Sequence, residues 1–384
     1  MTSSETSDET RTRPDASVVD RRPAGGRVWG GLGRDGLEAF RSSAVVSESR
    51  GEPDPLSRRL LHESGLLKLA IPGTYGGPCL EPAEMNRALS EVAEANPSLA
   101  IVVYLHTAVV LRVATFGSPG QQAALFGGIL ASGDIWASAW SEPGVGADKR
   151  VVGTAVTRDA GLTFIDGRKH FCTGATLAHG ALILAQEPET PSQSFWLLPA
   201  SLHGLSFEPT PMDLLGMRGS GTGSLSLTSC SVTESHQFAR ERTVSEVMAH
   251  PQSVGLSLGA VALGIVRRVI DLAAHRAGDQ LTSRSVAELT LLEGICHAQL
   301  GAVATAPPAH RETASLTAKV VNTRAAVQAC ARVRELLGSA SFMRSHELNQ
   351  LANDAQALIQ MGPTNEQCLT RLASAGSRLE TSRA

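Results

Sequence analysis

Along residues 36–131 the apolar positions recur at steps of three and four, the period of helices that bury one face. Glu81-Pro82 opens one predicted helix, which runs to about Ala95, with Pro82 at a first-turn position where its missing N–H costs nothing. Asn96-Pro97-Ser98 breaks it, and Ser98 is the expected N-cap of a very apolar run from Leu99 to Phe116. Ser118-Pro119-Gly120-Gln121 starts the next helix, with Ser118 as cap and Gln121 at capping-box spacing. From Trp136 to about Val232 the pattern shortens to period two. Val152, Thr154 and Val156 alternate, Asp159-Ala160-Gly161 turns, Leu162 and Phe164 alternate, and Asp166-Gly167 is read as a second turn. Further strands are expected at 181–186, 194–198, 205–208 and 224–232. From about Val244 the helical period returns in four stripes: Val254 to Leu272, Leu289 to Val303, Val320 to Leu337 and Leu348 to Met361. Pro307 and Pro308 break two of them apart.

These patterns predict an α+β multidomain chain. An N-terminal all-α domain (31–135) precedes a small β-barrel or sandwich domain (136–235) and a C-terminal four-helix bundle (236–384). Residues 1–30 are rich in Ser, Thr, Asp, Glu, Arg and Pro, and are expected to form a disordered tail without the apolar core of a signal peptide. The 384 residues allow a large core, and 42% hydrophobic with 18% charged residues is an ordinary globular composition. A net charge of -3 gives no pull toward nucleic acid or an anionic membrane surface. No window is read as reaching the apolar length of a membrane span. Six scattered cysteines without a CxxC pair, and eleven histidines without ligand spacing, point to a reduced, cytoplasmic, metal-free protein.

Two motifs in the β region carry candidate chemistry. They are Trp140-Ser141-Glu142-Pro143-Gly144-Val145-Gly146-Ala147-Asp148 and Arg168-Lys169-His170-Phe171-Cys172-Thr173-Gly174-Ala175. Each sets a small hydroxyl beside residues that fix the backbone path. Ser141 and Thr173 on one small β element, facing each other, suit a flat polar ligand held edge-on. Two other features are read as structural. Gly219-Ser220-Gly221-Thr222-Gly223 lacks the Lys-Ser/Thr of a phosphate loop and is a turn, and Arg267-Arg268 is a solvated helix face.

With these motifs, and with Ile71-Pro72-Gly73-Thr74-Tyr75-Gly76-Gly77 and Leu215-Gly216-Met217-Arg218-Gly219-Ser220, residues 36–374 resemble the acyl-CoA dehydrogenase superfamily. The resemblance implies a flavin on the β domain, FAD with FMN as the second option. Ser141 and Thr173 would meet its ring edge, Phe171 would cover its face, and Arg276 of a neighbouring subunit and Thr364 would complete the site. It also implies a homodimer or homotetramer built through the bundle, an acyl-thioester or other small-molecule substrate, and a flavin reductase or electron acceptor as partner.

The chain departs from the pattern where the family keeps its base. The stretch 354–364 places Gly362 at the Glu position, and 252–255, where another branch carries its acid, has Val254. Neither side chain can take a proton. Ala147 replaces the Ser that faces the acyl chain, and Arg276 lacks its aromatic companion. Glu366 is the nearest carboxylate and is expected to face solvent. His106 is a candidate proton donor if the chain follows the flavin-dependent monooxygenase branch, against the plainer reading of a satisfied core histidine. Three functions remain in view: a specialised dehydrogenase, a monooxygenase, and a non-catalytic partner subunit.

Overall fold

A computed structural model describes residues 30–144, 152–188, 190, 192–274 and 280–381. The predicted tail, Ala147 and Arg276 lie outside the described residues. Helices α1 (Gly33–Arg50), α2 (Pro55–Glu63), α3 (Pro82–Ala95), α4 (Pro97–Phe116) and α5 (Pro119–Ser132) come first. Pro82 and Pro119 sit at helix starts, and the Ser118–Gln121 capping box is present. The cap of α4 is Asn96, whose Oδ1 accepts from the Leu99 N–H at 3.0 Å. Ser98 was expected there. Pro97 has no N–H to lose and so belongs inside the first turn, which moves the cap one step earlier.

Helix α4 also corrects the membrane reading. It is long and apolar enough to cross a bilayer, yet 72% of its apolar window is buried inside the protein. It is the central strut of the core, where every face meets other apolar groups.

The strands are β1 (Ile135–Ala139), β2 (Ala155–Asp159), β3 (Leu162–Cys172), β4 (Ala178–Gln186), β5 (Gln193–Pro199), β6 (Leu205–Phe207), β7 (Gly223–Val232) and β8 (Gln237–Phe238). They form one sheet in the order β6-β7-β3-β2-β4-β5-β8, with β1 parallel to β4. Asp159 and Leu162 pair across the predicted hairpin turn. Asp166-Gly167 is not a turn. β3 runs through it with a register shift against β7. At Gly167, φ is +154°, and a Cβ would come within 2.5 Å of Thr154 Oγ1, so only glycine permits the close approach.

The chain then enters α6 (Val244–Met248), α7 (Pro251–Val254), α8 (Leu258–Ala274), α9 (Gln280–Thr305), α10 (Arg311–Leu337), α11 (Glu347–Gln360) and α12 (Asn365–Thr381). The four stripes lie on α8 to α11, where Val261, Ile265, Val269, Cys296, Val333 and Leu358 are fully buried or nearly so. A further helix, α12, packs on α10. Arg267 and Arg268 are not a solvated face. Arg267 pairs with Glu293 at 3.1 Å, and Arg268 makes a two-pronged pair with Glu347 at 2.6 and 2.7 Å, which locks α8 to α9 and α11.

One hydrophobic core joins the two helical segments. Ala88, Leu89 and Val92 of α3 share it with Val261, Leu263 and Val266 of α8, and one face of the sheet contributes Leu182, Leu184 and Leu197. The sheet's other face makes a separate core with Ile165, Ile183, Trp196 and Leu225.

Candidate functional site

A buried ion pair binds the two β motifs together. Glu142 follows β1 and is 7% exposed, while Lys169 of β3 is fully buried. Lys169 Nζ donates to Glu142 Oε1 at 2.5 Å and to the Leu184 carbonyl at 2.6 Å. The carboxylate also accepts from the backbone N–H groups of Gly153 and Thr154 and from the Thr154 hydroxyl. Burial pushes the Glu142 carboxyl up, but the bonds from Lys169 and Thr154 and the Lys169 charge hold it below its ordinary value. With four donors on one carboxylate, the pair is ionised and fixed.

Beside it, the His170 N–H donates to the Ser141 carbonyl at 2.8 Å, so the motifs are also joined through their backbones. Between Lys169 and Cys172 the β3–β7 register shifts. Phe171 takes φ +54° there, and its ring turns outward to 56% exposure. A positive φ is costly for an aromatic residue, and a bulge of this kind re-aims a side chain. Thr173 follows and is buried. A row of hydroxyls reaches it: Ser220 donates to the Met217 carbonyl at 2.6 Å and meets Thr222 at 2.8 Å, and Thr222 donates to Thr173 at 3.4 Å. Thr173 therefore accepts, and its own proton is left to donate. Ser141 is half-buried, and its hydroxyl has no hydrogen bond among the described residues.

Helix α4 closes one side. A Cβ on Gly174 would lie 3.3 Å from Val102 Cγ1. Two unclaimed hydroxyls beside an outward-facing aromatic ring fit a planar polar ring with acceptors along its edge.

The C-terminal turn is held by a lysine that the sequence reading overlooked. Lys319 of α10 is 4% exposed, and its Nζ donates to the Met361 carbonyl at 2.6 Å and to the Pro363 carbonyl. Burial lowers its pKa to about 8. Its signal was a lysine set directly against Val320 in a buried stripe. Gly362 is exposed in this turn, and a Cβ there would meet nothing within 4 Å. Thr364 caps α12, its hydroxyl accepting from the Gln367 N–H at 3.2 Å. Glu366 is exposed on the first turn of α12 and does not join the site.

His106 is fully buried. Its Nε2 bonds the Leu67 carbonyl at 3.0 Å and its Nδ1 accepts from the Trp136 N–H at 3.1 Å, which fixes the neutral Nε2–H tautomer. Burial pushes its pKa down to about 4. A cation would face the Trp136 N–H donor to donor, so His106 is a core residue that pins β1 to α4. The unfolded chain takes up this proton first, so stability is expected to fall as pH drops from about 6.5 to about 4. The loss is at most ~3 kcal/mol. Urea unfolding across that range checks it: His106→Gln should flatten the acid limb, and an unchanged slope would remove His106 as its cause.

Comparisons with known proteins identify the family and the fold. Three family models match in succession: the acyl-CoA dehydrogenase N-terminal domain over 41–133, the middle domain over 137–230 and the C-terminal domain over 252–376. Benzylmalonyl-CoA dehydrogenase of Aromatoleum aromaticum is 25% identical over 342 residues, 84% of this chain and 90% of that protein. FMN-bound TdsC from a Paenibacillus species superposes with a TM-score of 0.78 at 21% identity, covering 88% of this chain and 94% of that one. FkbI, which serves biosynthesis of a methoxymalonyl extender unit, superposes with a TM-score of 0.76 at 22% identity, covering 89% and 98%.

Proposed function

Because this chain belongs to the acyl-CoA dehydrogenase family of flavin oxidoreductases, we propose that it acts on a specialised acyl or carrier-bound substrate by a route that does not use the family's usual carboxylate base. The observation that carries this is the turn after α11. Gly362 stands in open space there, the turn's carbonyls are held by a lysine, and the nearest acid in sequence, Glu366, faces solvent. FAD is the proposed cofactor, and when bound a flavin supplies an acceptor for a hydride. Ser141 and Thr173 would donate to its ring edge and stabilise negative charge there, with Phe171 lying over its face. Arg276 of a second subunit would reach its far end, and Thr364, already committed to capping α12, would bound the near side.

The test is anaerobic reduction of the purified flavoprotein with and without acyl thioesters, followed by oxygen. Reduction by a thioester supports the proposal. Reductase-coupled oxygen use with no thioester requirement would favour a monooxygenase, the reading that the acid-free turn also allows. A colourless protein that takes up no flavin would favour a partner subunit. Thr173→Val should weaken flavin binding by roughly tenfold, the value of one lost hydrogen bond. Unchanged affinity and reduction potential would remove Thr173 from the site.

Assembly through the bundle is proposed from an apolar face on α9. Leu291 is 70% exposed and Ile295 47% exposed. Between α9 and α10 lies a groove of about 460 Å³ lined by Leu289, Leu292, Ala331 and Arg332. A dimer or tetramer is expected in sedimentation at micromolar concentration, with Leu291→Asp shifting it toward monomer. A strict monomer would count against it. A reducing, cytoplasmic location is proposed from the six free cysteines.

A further inference from the structure

Arg112 is a buried cation for which no counter-ion is found among the described residues. It lies in the C-terminal half of α4 and is 8% exposed. One guanidinium nitrogen donates to the Ala108 carbonyl, a turn back in the same helix, at 2.9 Å. Its Nε is buried and has no partner. Among the described residues, the titratable group that acts on it is the Tyr104 phenol, two turns earlier on α4. Burial lowers the guanidinium to about 10, so it stays charged at neutral pH. A charge held this way weakens the fold unless a ligand brings the opposite one.

Its direction locates that ligand. Arg112 bends back toward the start of α4 and lies alongside Ala108. Tyr104 is half-buried, and its hydroxyl makes no hydrogen bond among the described residues. Burial pushes the phenol up to about 12, which keeps it a neutral donor, and Cys368 of α12 lies within its electrostatic reach. Cys368 stands just beyond the 361–364 turn, and its thiol points at the Pro363 carbonyl at 3.6 Å. On the same helix Val102 abuts Gly174, next to the Thr173 hydroxyl. The six steps from Val102 to Ala108 rise about 9 Å. One helix thus runs from the proposed ring edge, past the acid-free turn, to an unpaired guanidinium.

We propose that Arg112 and Tyr104 form an anion-recognising subsite on α4, and that the substrate is an acyl group ending in a carboxylate. The Arg112 Nε and the Tyr104 hydroxyl would be its two donors, a charge-assisted pairing shielded from water. This rests on the reading of the chain as an acyl-specific flavin oxidoreductase.

The test is isothermal titration of the full-length protein with suberyl-CoA and octanoyl-CoA, which differ only in the terminal carboxylate. Thermal unfolding with free suberate and octanoate forms a second arm. Wild type should bind suberyl-CoA on the order of tenfold or more tightly than octanoyl-CoA. Arg112→Met should lose that preference and melt at or above the wild-type temperature, since it removes an uncompensated buried charge. Arg112→Lys should keep part of the preference, and Tyr104→Phe should reduce it. A stabilising shift with suberate but not octanoate, lost in Arg112→Met, supports the subsite even where the CoA forms do not bind. Equal affinity for both ligands, binding of none of the four, or a preference that survives Arg112→Met overturns it. Flavin content, read from the absorbance of the same samples, reports separately on the proposed function.

Discussion

Gly362→Glu is expected to raise straight-chain acyl-CoA dehydrogenation by roughly 10²–10⁴-fold over an unmodified protein whose rate is very low or undetectable. That is the range a positioned general base contributes. Removing a proton α to a thioester near neutral pH needs such a base, and the C-terminal turn offers none. The substitution has room, because a Cβ on Gly362 meets nothing within 4 Å and the residue is not among those with positive φ. The Lys319 ammonium, which holds both flanking carbonyls, would also favour the ionised form of a carboxylate placed beside it. The measurement is electron transfer from butyryl- and octanoyl-CoA to an artificial acceptor. Should the unmodified protein turn these over at ordinary family rates, the base lies elsewhere and Glu366 is the first residue to replace.

Lys169→Met should destabilise the protein by about 3–5 kcal/mol and release the flavin, because it leaves Glu142 as a buried carboxylate without its counter-charge. The backbone donors of Gly153 and Thr154 remain, which keeps the loss within that range. Glu142→Gln strands the ammonium instead and should cost a similar amount. The double replacement Glu142→Gln with Lys169→Met should cost clearly less than the two single losses added together, since neither charge is then left alone. Urea unfolding of the four proteins decides the matter, and strict additivity would mean that the two groups do not depend on each other.

What the sequence made legible was local. Helix stripes, the Ser118 capping box and the strands at 181–186, 194–198 and 224–232 follow from periods of 3.6 and two and from turn chemistry within a few residues. The two hydroxyl motifs were legible as motifs. The failures are pairings across distance. Arg267 and Arg268 looked solvated because their partners, Glu293 and Glu347, lie on other helices. Lys319 went unread because the carbonyls it holds belong to a distant turn. The Glu142–Lys169 pair sat inside two quoted motifs and was not seen as a pair. Asp166-Gly167 read as a turn because the residue types are the same in a bulge. The Ser98 cap failed by one position, where Pro97 settles the frame. His106 stands in an unbroken apolar helix, where its two ring nitrogens meet the Leu67 carbonyl and the Trp136 N–H.

The shared core of α3, α4 and α8 bears on how the chain is made. The first helical segment leaves the ribosome long before its main partner, since the whole β domain is translated between Phe116 and Leu258. At about 5–20 residues per second this wait is on the order of ten seconds. Throughout it, α4 lacks the contacts it will later make with α7, α8 and α11. Gly264 of α8 must then approach so closely that a Cβ would fall 2.5 Å from Ala93 Cβ, a fit that nothing synthesised earlier can imitate. The nascent chain therefore carries a membrane-like apolar segment without its α8 partner while the whole β domain is made, and its yield in cells should depend in part on chaperones that hold such segments.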